Sequence, residues 1–188
     1  MAAISIYNFE FLFNYRFRMF SDVVSQTKNE HFSGYISLAD KAKFDSINIL
    51  LADDDVDDSE IFKEALGEVI TDANFQTVIN GEQLLNFLKD ATKLPDVIFL
   101  DLNMPLKNGL ECLEEIRKNK KLYPVPIVIY STTVNQLQVN NTFNSGANLY
   151  WQKPSDYNSI KRMMHKIFHF EFDNYIPKAM KAHFIVKE

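Results

Sequence analysis

From residue 47 onward the chain alternates between short, nearly unbroken apolar runs and longer segments whose apolar residues recur at helical spacing. The runs are Ile47–Ala52, Phe75–Ile79, Val97–Leu100, Ile127–Tyr130 and Leu149–Gln152. Between them lie sets such as Ile61, Ala65, Leu66 and Val69, or Leu84, Leu85 and Leu88, which fit one face of a helix. Strands without polar alternation belong in a parallel sheet covered on both faces. The pattern therefore predicts a doubly wound α/β domain with a five-stranded parallel sheet over residues 47–168. Punctuation agrees with it: Asp57 followed by Glu60 suits a capping box for the first helix. Asn80-Gly81 marks the turn out of the second strand, and Gly146 stands where the fourth helix should stop.

The flanks read differently. Residues 1–46 carry Phe9, Phe11, Phe13, Tyr15 and Phe17, a period-two pattern with no partner strand in view. They are expected to be a disordered or loosely packed extension, with Met19 as an alternative start. Residues 169–188 are expected to be a tail, with one or two helical turns around "PKAMKAHF", and too short for a DNA-binding output domain.

In a sheet of this kind the working residues gather beyond the carboxyl ends of the strands. Each strand end supplies a candidate. Asp53 and Asp54 follow the first, Asp101 and Asn103 the third, and Ser131 and Thr132 the fourth; Lys153 precedes Pro154 after the fifth. Five aspartates occupy positions 53–58, where mutual repulsion has to be offset by something. Two carboxylates about 4 Å apart repel by roughly 4 kcal/mol at an effective dielectric near 20. An all-oxygen donor set suits Mg²⁺ better than zinc or copper. Asp53 and Asp54 can face the site, Asp57 and Asp58 suit the helix N-terminus, and Asp55 could serve either way. An acidic cluster with one lysine fits phosphoryl chemistry, with Asp101 as the candidate nucleophile because a carboxylate needs no general base.

Composition narrows the class without changing it. Twenty basic against 25 acidic residues, a net charge of −5, argue against a nucleic-acid binder. The single cysteine, Cys112, cannot form an internal disulfide and reads as a packing residue, as do Trp151, Met163 and Met164. His165 and His169 are at i, i+4 spacing, but no carboxylate or cysteine motif accompanies them. There is no run of eighteen apolar residues and no signal-peptide pattern, so a cytoplasmic location and no membrane contact are expected.

The acidic pair Asp53-Asp54, "DLNMP" at 101–105, Ser131 and "KP" at 153–154 stand in the order and spacing of a known family. Residues 47–168 resemble the receiver domain of two-component response regulators. The resemblance implies a flavodoxin-like (βα)5 fold with strand order 2-1-3-4-5. It implies that Asp101 accepts a phosphoryl group from a histidine of a sensor kinase or phosphotransfer protein. Asp54 and Asp101 would bind Mg²⁺ directly, Asp53 partly through water, and Asn103 through its backbone carbonyl. Ser131 would meet a phosphoryl oxygen and Lys153 would pair with the phosphoryl group, across a cis Lys-Pro bond. Ser131 and Tyr150 would form the switch, Tyr150 turning in as Ser131 is drawn to the phosphoryl group. The asparagine-rich fourth helix would be the mobile part of an output face that contacts a target protein. Ser131 replaces the commoner threonine, and Asn103 and Thr133 hold positions that influence acyl-phosphate lifetime.

Two other functions fit the same residues. A pseudo-receiver would bind partners without phosphorylation. A Mg²⁺-dependent aspartyl phosphatase of the haloacid dehalogenase type usually needs an aspartate where Asn103 stands. A flavin-binding relative is disfavoured by the acidic loop after the first strand.

Overall fold

The structure, a computed structural model, describes residues 47–133, 135–168 and 184–186, all within one compact unit, Ser46–Glu188. The expectations for residues 1–46, for His169 and for helical turns within residues 169–183 lie outside the described residues. Five strands, β1 (Ile47–Ala52), β2 (Ala73–Val78), β3 (Val97–Leu100), β4 (Ile127–Ser131) and β5 (Leu149–Gln152), alternate with five helices. These are α1 (Val56–Val69), α2 (Gly81–Asp90), α3 (Gly109–Lys118), α4 (Gln136–Asn144) and α5 (Tyr157–Lys166). All strand pairings are parallel, and the order begins β2-β1-β3-β4-β5 as expected. A sixth strand, β6 (Ile185–Val186), extends the sheet beyond β5. It covers β5's outer row of peptide groups, which would otherwise lack partners: Tyr150 N donates to the Phe184 carbonyl at 2.7 Å.

Burial follows position in the sheet. Every residue of β3 and β4 is buried, whereas β2, at the edge, alternates and leaves Phe75 half-buried. One face packs Leu50, Leu84, Leu113, Ile116 and Ile129 with Cys112. The other is aromatic. Phe62 of α1 lies 4.9 Å from Phe99, 5.3 Å from Tyr130 and 6.0 Å from Trp151, ring centre to ring centre. Met163 and Met164 are buried, in keeping with packing roles. Ile61, placed by its spacing on the inner face of the first helix, is 40% exposed, and Phe62 fills the core instead.

Each helix starts at an Asp or Asn whose side chain accepts backbone N–H groups: Asp55, Asn80, Asn108, Asn135 and Asp156. The first cap differs from the expected Asp57–Glu60 box. Asp55 has the extended backbone of a cap, and its Oδ1 accepts from Asp57 N at 2.9 Å and Asp58 N at 3.1 Å. A reciprocal box does form at α3, between Asn108 and Glu111. Gly146, at φ 91°, follows α4 in the left-handed region that favours glycine.

Candidate functional site

Parallel pairing brings the strand ends together. Asp53 N donates to the Val78 carbonyl at 3.0 Å, Asp101 N to the Ala52 carbonyl at 2.9 Å and Lys153 N to the Ser131 carbonyl at 2.9 Å. Each candidate is thus hung on the last bond of a ladder, which fixes its backbone. Asp53, Asp54 and Asp101 each offer an oxygen, and these lie within 4.8 Å of one another. Asp53 and Asp101 are buried and Asp54 is exposed. Asp54 and Asp101 border a cleft of about 480 Å³ that Asn103, Thr132 and Lys153 also line.

Lys153 is the cation of the site. Its Nζ lies 2.7 Å from Asp53 Oδ2, 2.9 Å from Asp58 Oδ2 and 3.8 Å from Asp101 Oδ2. It also stands 5.2 Å from the centre of the Tyr130 ring. Burial works against its charge, but the Asp53 and Asp58 carboxylates outweigh that and hold its pKa above the usual lysine value. The Lys153–Pro154 bond is trans, since no cis peptide bond occurs among the described residues, a correction to the expected cis linkage. Trans is the form an X-Pro amide ordinarily prefers, and the ammonium reaches the acids from it.

Asp53 is the strained acid. Burial pushes its pKa up to about 6, against the opposing pull of Lys153. A donor set of carboxylate oxygens from Asp53, Asp54 and Asp101, with the one nearby ammonium shared among three carboxylates, Asp53, Asp58 and Asp101, fits a hard divalent cation. The raised pKa has a consequence for the metal-free protein. The folded state keeps the Asp53 proton to higher pH than the unfolded chain, whose carboxyl titrates near 3.8. Asp53 therefore favours folding below about pH 4, and that contribution is lost as pH rises to about 6. The loss amounts to about 3 kcal/mol at ~1.36 kcal/mol per pH unit. Asp53→Asn should accordingly be the more stable protein at pH 7 in chelator, with the gap closing toward pH 4 in urea titrations. A wild type more stable than the variant at pH 7 would contradict this account.

Ser131 is fully buried, and its Oγ has no hydrogen-bond partner among the described residues. Tyr150 is already turned in: it is fully buried and its hydroxyl donates to the Thr133 carbonyl. Burial pushes the Tyr150 pKa up, with the nearby Ser131 hydroxyl opposing. Two participants were not legible in the sequence as site residues. Asp58 had a role only at the helix N-terminus, and Tyr130 only as strand filling. The i, i+4 step from Asp54 to Asp58 is the one local signal that Asp58 could face the same way.

Residues 49–165 match the model of the response regulator receiver domain. The chain belongs to that family, whose members are signalling domains of two-component systems. It is 30% identical over 127 residues to the response regulator Rcp1 of Synechocystis sp., covering 65% of this chain and 86% of Rcp1. It is 31% identical over 101 residues to a chemotaxis protein CheY homolog of Campylobacter jejuni, covering 53% of this chain and 78% of that protein. Among solved structures, the phosphorylated cyanobacterial phytochrome response regulator RcpA superposes with a TM-score of 0.64 at 26% identity, covering 71% of this chain and 99% of RcpA. The Mn²⁺-bound form of Rcp1 gives 0.61 at 28% identity, covering 70% of this chain and 99% of Rcp1.

Proposed function

We propose that the chain is a phosphorylation-controlled switch whose phosphoryl acceptor is Asp101 and whose donor is a phosphohistidine of a sensor kinase or phosphotransfer protein. The observation that carries this reading is the convergence of Asp53, Asp54 and Lys153 on the Asp101 carboxylate. An Asp101 oxygen attacks phosphorus in line as the P–N bond to the imidazole breaks. The electron pair stays on that nitrogen, which takes a proton from solvent, and a P–O bond to Asp101 is formed. Water later cleaves the acyl phosphate, releasing inorganic phosphate. Lys153 neutralises phosphoryl oxygens, and the Ser131 hydroxyl, without a partner among the described residues, has a bond to give one of them. Asp53, Asp54, Asp101 and the Asn103 carbonyl would hold Mg²⁺, which supplies charge neutralisation at the transferring group.

The switch in this reading is the pair Ser131 and Tyr150, joined to α4 through the Thr133 carbonyl. Drawing Ser131 toward the phosphoryl group pulls on the loop that holds Tyr150, a charge change biasing a two-state element. Output then passes through protein contacts, with α4 as the movable part. The long overlap with Rcp1 and the CheY homolog favours that mode. The cytoplasm is the compartment this reading assigns, and no described helix is long and apolar enough to cross a membrane.

Intact mass after incubation with Mg²⁺ and acetyl phosphate tests the reading. The wild type should gain one phosphoryl group and Asp101→Asn none. A folded wild type whose melting temperature rises with Mg²⁺, yet which gains no mass at any donor concentration, would leave a partner-binding pseudo-receiver in its place.

A further inference from the structure

Lys153 has two short carboxylate partners and one that is out of reach. Its ammonium sits at 2.7 Å from Asp53 and 2.9 Å from Asp58, while Asp101, at 3.8 Å, is beyond hydrogen-bond distance. The side chain is 6% exposed, so its donors are met almost entirely by protein groups. If Lys153 is to neutralise a phosphoryl group on Asp101, one of the two short bonds has to loosen. The surroundings decide which. The Asp53 side chain is fully buried and cannot turn to water, so releasing it would strand a desolvated charge. Asp58 is 36% exposed and sits in the first turn of α1, where solvent and the helix N-terminus both favour its carboxylate.

From this asymmetry, and resting on the phosphoacceptor reading above, we propose that Asp58 is a positioning residue for phosphoryl transfer. It competes for Lys153, holds the ammonium short of Asp101 in the unphosphorylated protein, and gives it up as the phosphoryl group arrives. The competition sets the rate of uptake. It has little influence on hydrolysis, because by then Lys153 has already left Asp58. Half-exposed ion pairs are weak, so freeing Lys153 should accelerate uptake by about fivefold.

The measurement is the time course of phosphoryl gain by intact mass, at saturating Mg²⁺ and fixed acetyl phosphate, followed by decay after donor removal. Asp58→Asn should take up the group about fivefold faster than wild type and lose it within about twofold of the wild-type rate. Asp58→Glu, which keeps the competing charge, should return uptake to near the wild-type value. Asp57→Asn removes the same charge from the same helical turn without a bond to Lys153, and should shift uptake by less than about twofold. Asp58→Ser replaces the amide variant if that one melts early. Uptake in Asp58→Asn equal to or slower than wild type, beside normal wild-type phosphorylation, would overturn the positioning role alone. Equal acceleration by Asp57→Asn would reduce it to a general field effect and overturn it too. A wild type that takes up no phosphoryl group would remove the phosphoacceptor reading and this inference together.

Discussion

Phe62→Ala should destabilise the domain by about 3–5 kcal/mol, whereas Ile61→Ala, one residue earlier, should cost under about 1 kcal/mol. The two residues differ in sequence by a single step along α1. In the fold, Phe62 is fully buried and Ile61 is 40% exposed. Phe62 stacks on Phe75 with centroids 5.6 Å apart and meets Phe99, Tyr130 and Trp151 edge-on or tilted. Such ring pairs add to the area they bury, and removing the central ring leaves a cavity that four rigid neighbours cannot close. The damage should also reach the site, because Tyr130 stands between this cluster and Lys153. Urea titrations of both variants, with Trp151 fluorescence as the probe, give the comparison. Equal losses in the two would show that the helix is turned otherwise.

Gly109→Ala should abolish phosphoryl uptake and destabilise the protein by several kcal/mol, on the order of the larger overpacking penalties. A Cβ at Gly109 would lie 2.0 Å from the Asp101 carbonyl oxygen and 2.9 Å from the Leu102 Cα. These neighbours are backbone, not flexible side-chain ends, so the β3–α3 loop itself has to move. That loop has little slack: Gly109 N donates to the Leu102 carbonyl at 3.1 Å, and Leu106 is already held at φ 65°. The displaced atoms belong to Asp101, the proposed phosphoacceptor, whose Oδ1 accepts from Leu102 N at 2.7 Å. Phosphoryl gain by intact mass and a thermal melt would check it. A variant that melts like wild type and is phosphorylated normally would show that α3 can slide away without disturbing Asp101.

Much of this architecture is visible in the order of the residues. The bounds of β1, β3 and β5 coincide with largely apolar runs, because strands buried on both faces leave polar residues such as Asn48 and Gln152 only at their less buried ends. The acids after β1 and β3 and the lysine after β5 converge because parallel strands in register place all their carboxyl ends on one edge. Other features depend on information that no local window holds. The spacing of Ala65, Leu66 and Val69 accepts either Ile61 or Phe62 as its partner, and aromatic rings from four strands decide between them. Among five neighbouring aspartates, the cap is the one whose backbone is extended where the chain enters α1. Proximity in sequence could not distinguish Asp55 from Asp57.

The sequence by itself determined the class of fold and the convergence of Asp53, Asp54, Asp101 and Lys153 on one edge of the sheet. These follow from periodicity and from the charge that each strand end carries, both of which are local quantities. Tertiary structure alone decided the phase of α1, the addition of β6 and the inward position of Tyr150. It also decided that Asp58 shares Lys153 across 95 residues of chain. Each of these is a competition between groups far apart in sequence, settled by burial and distance, which exist only once the sheet has formed.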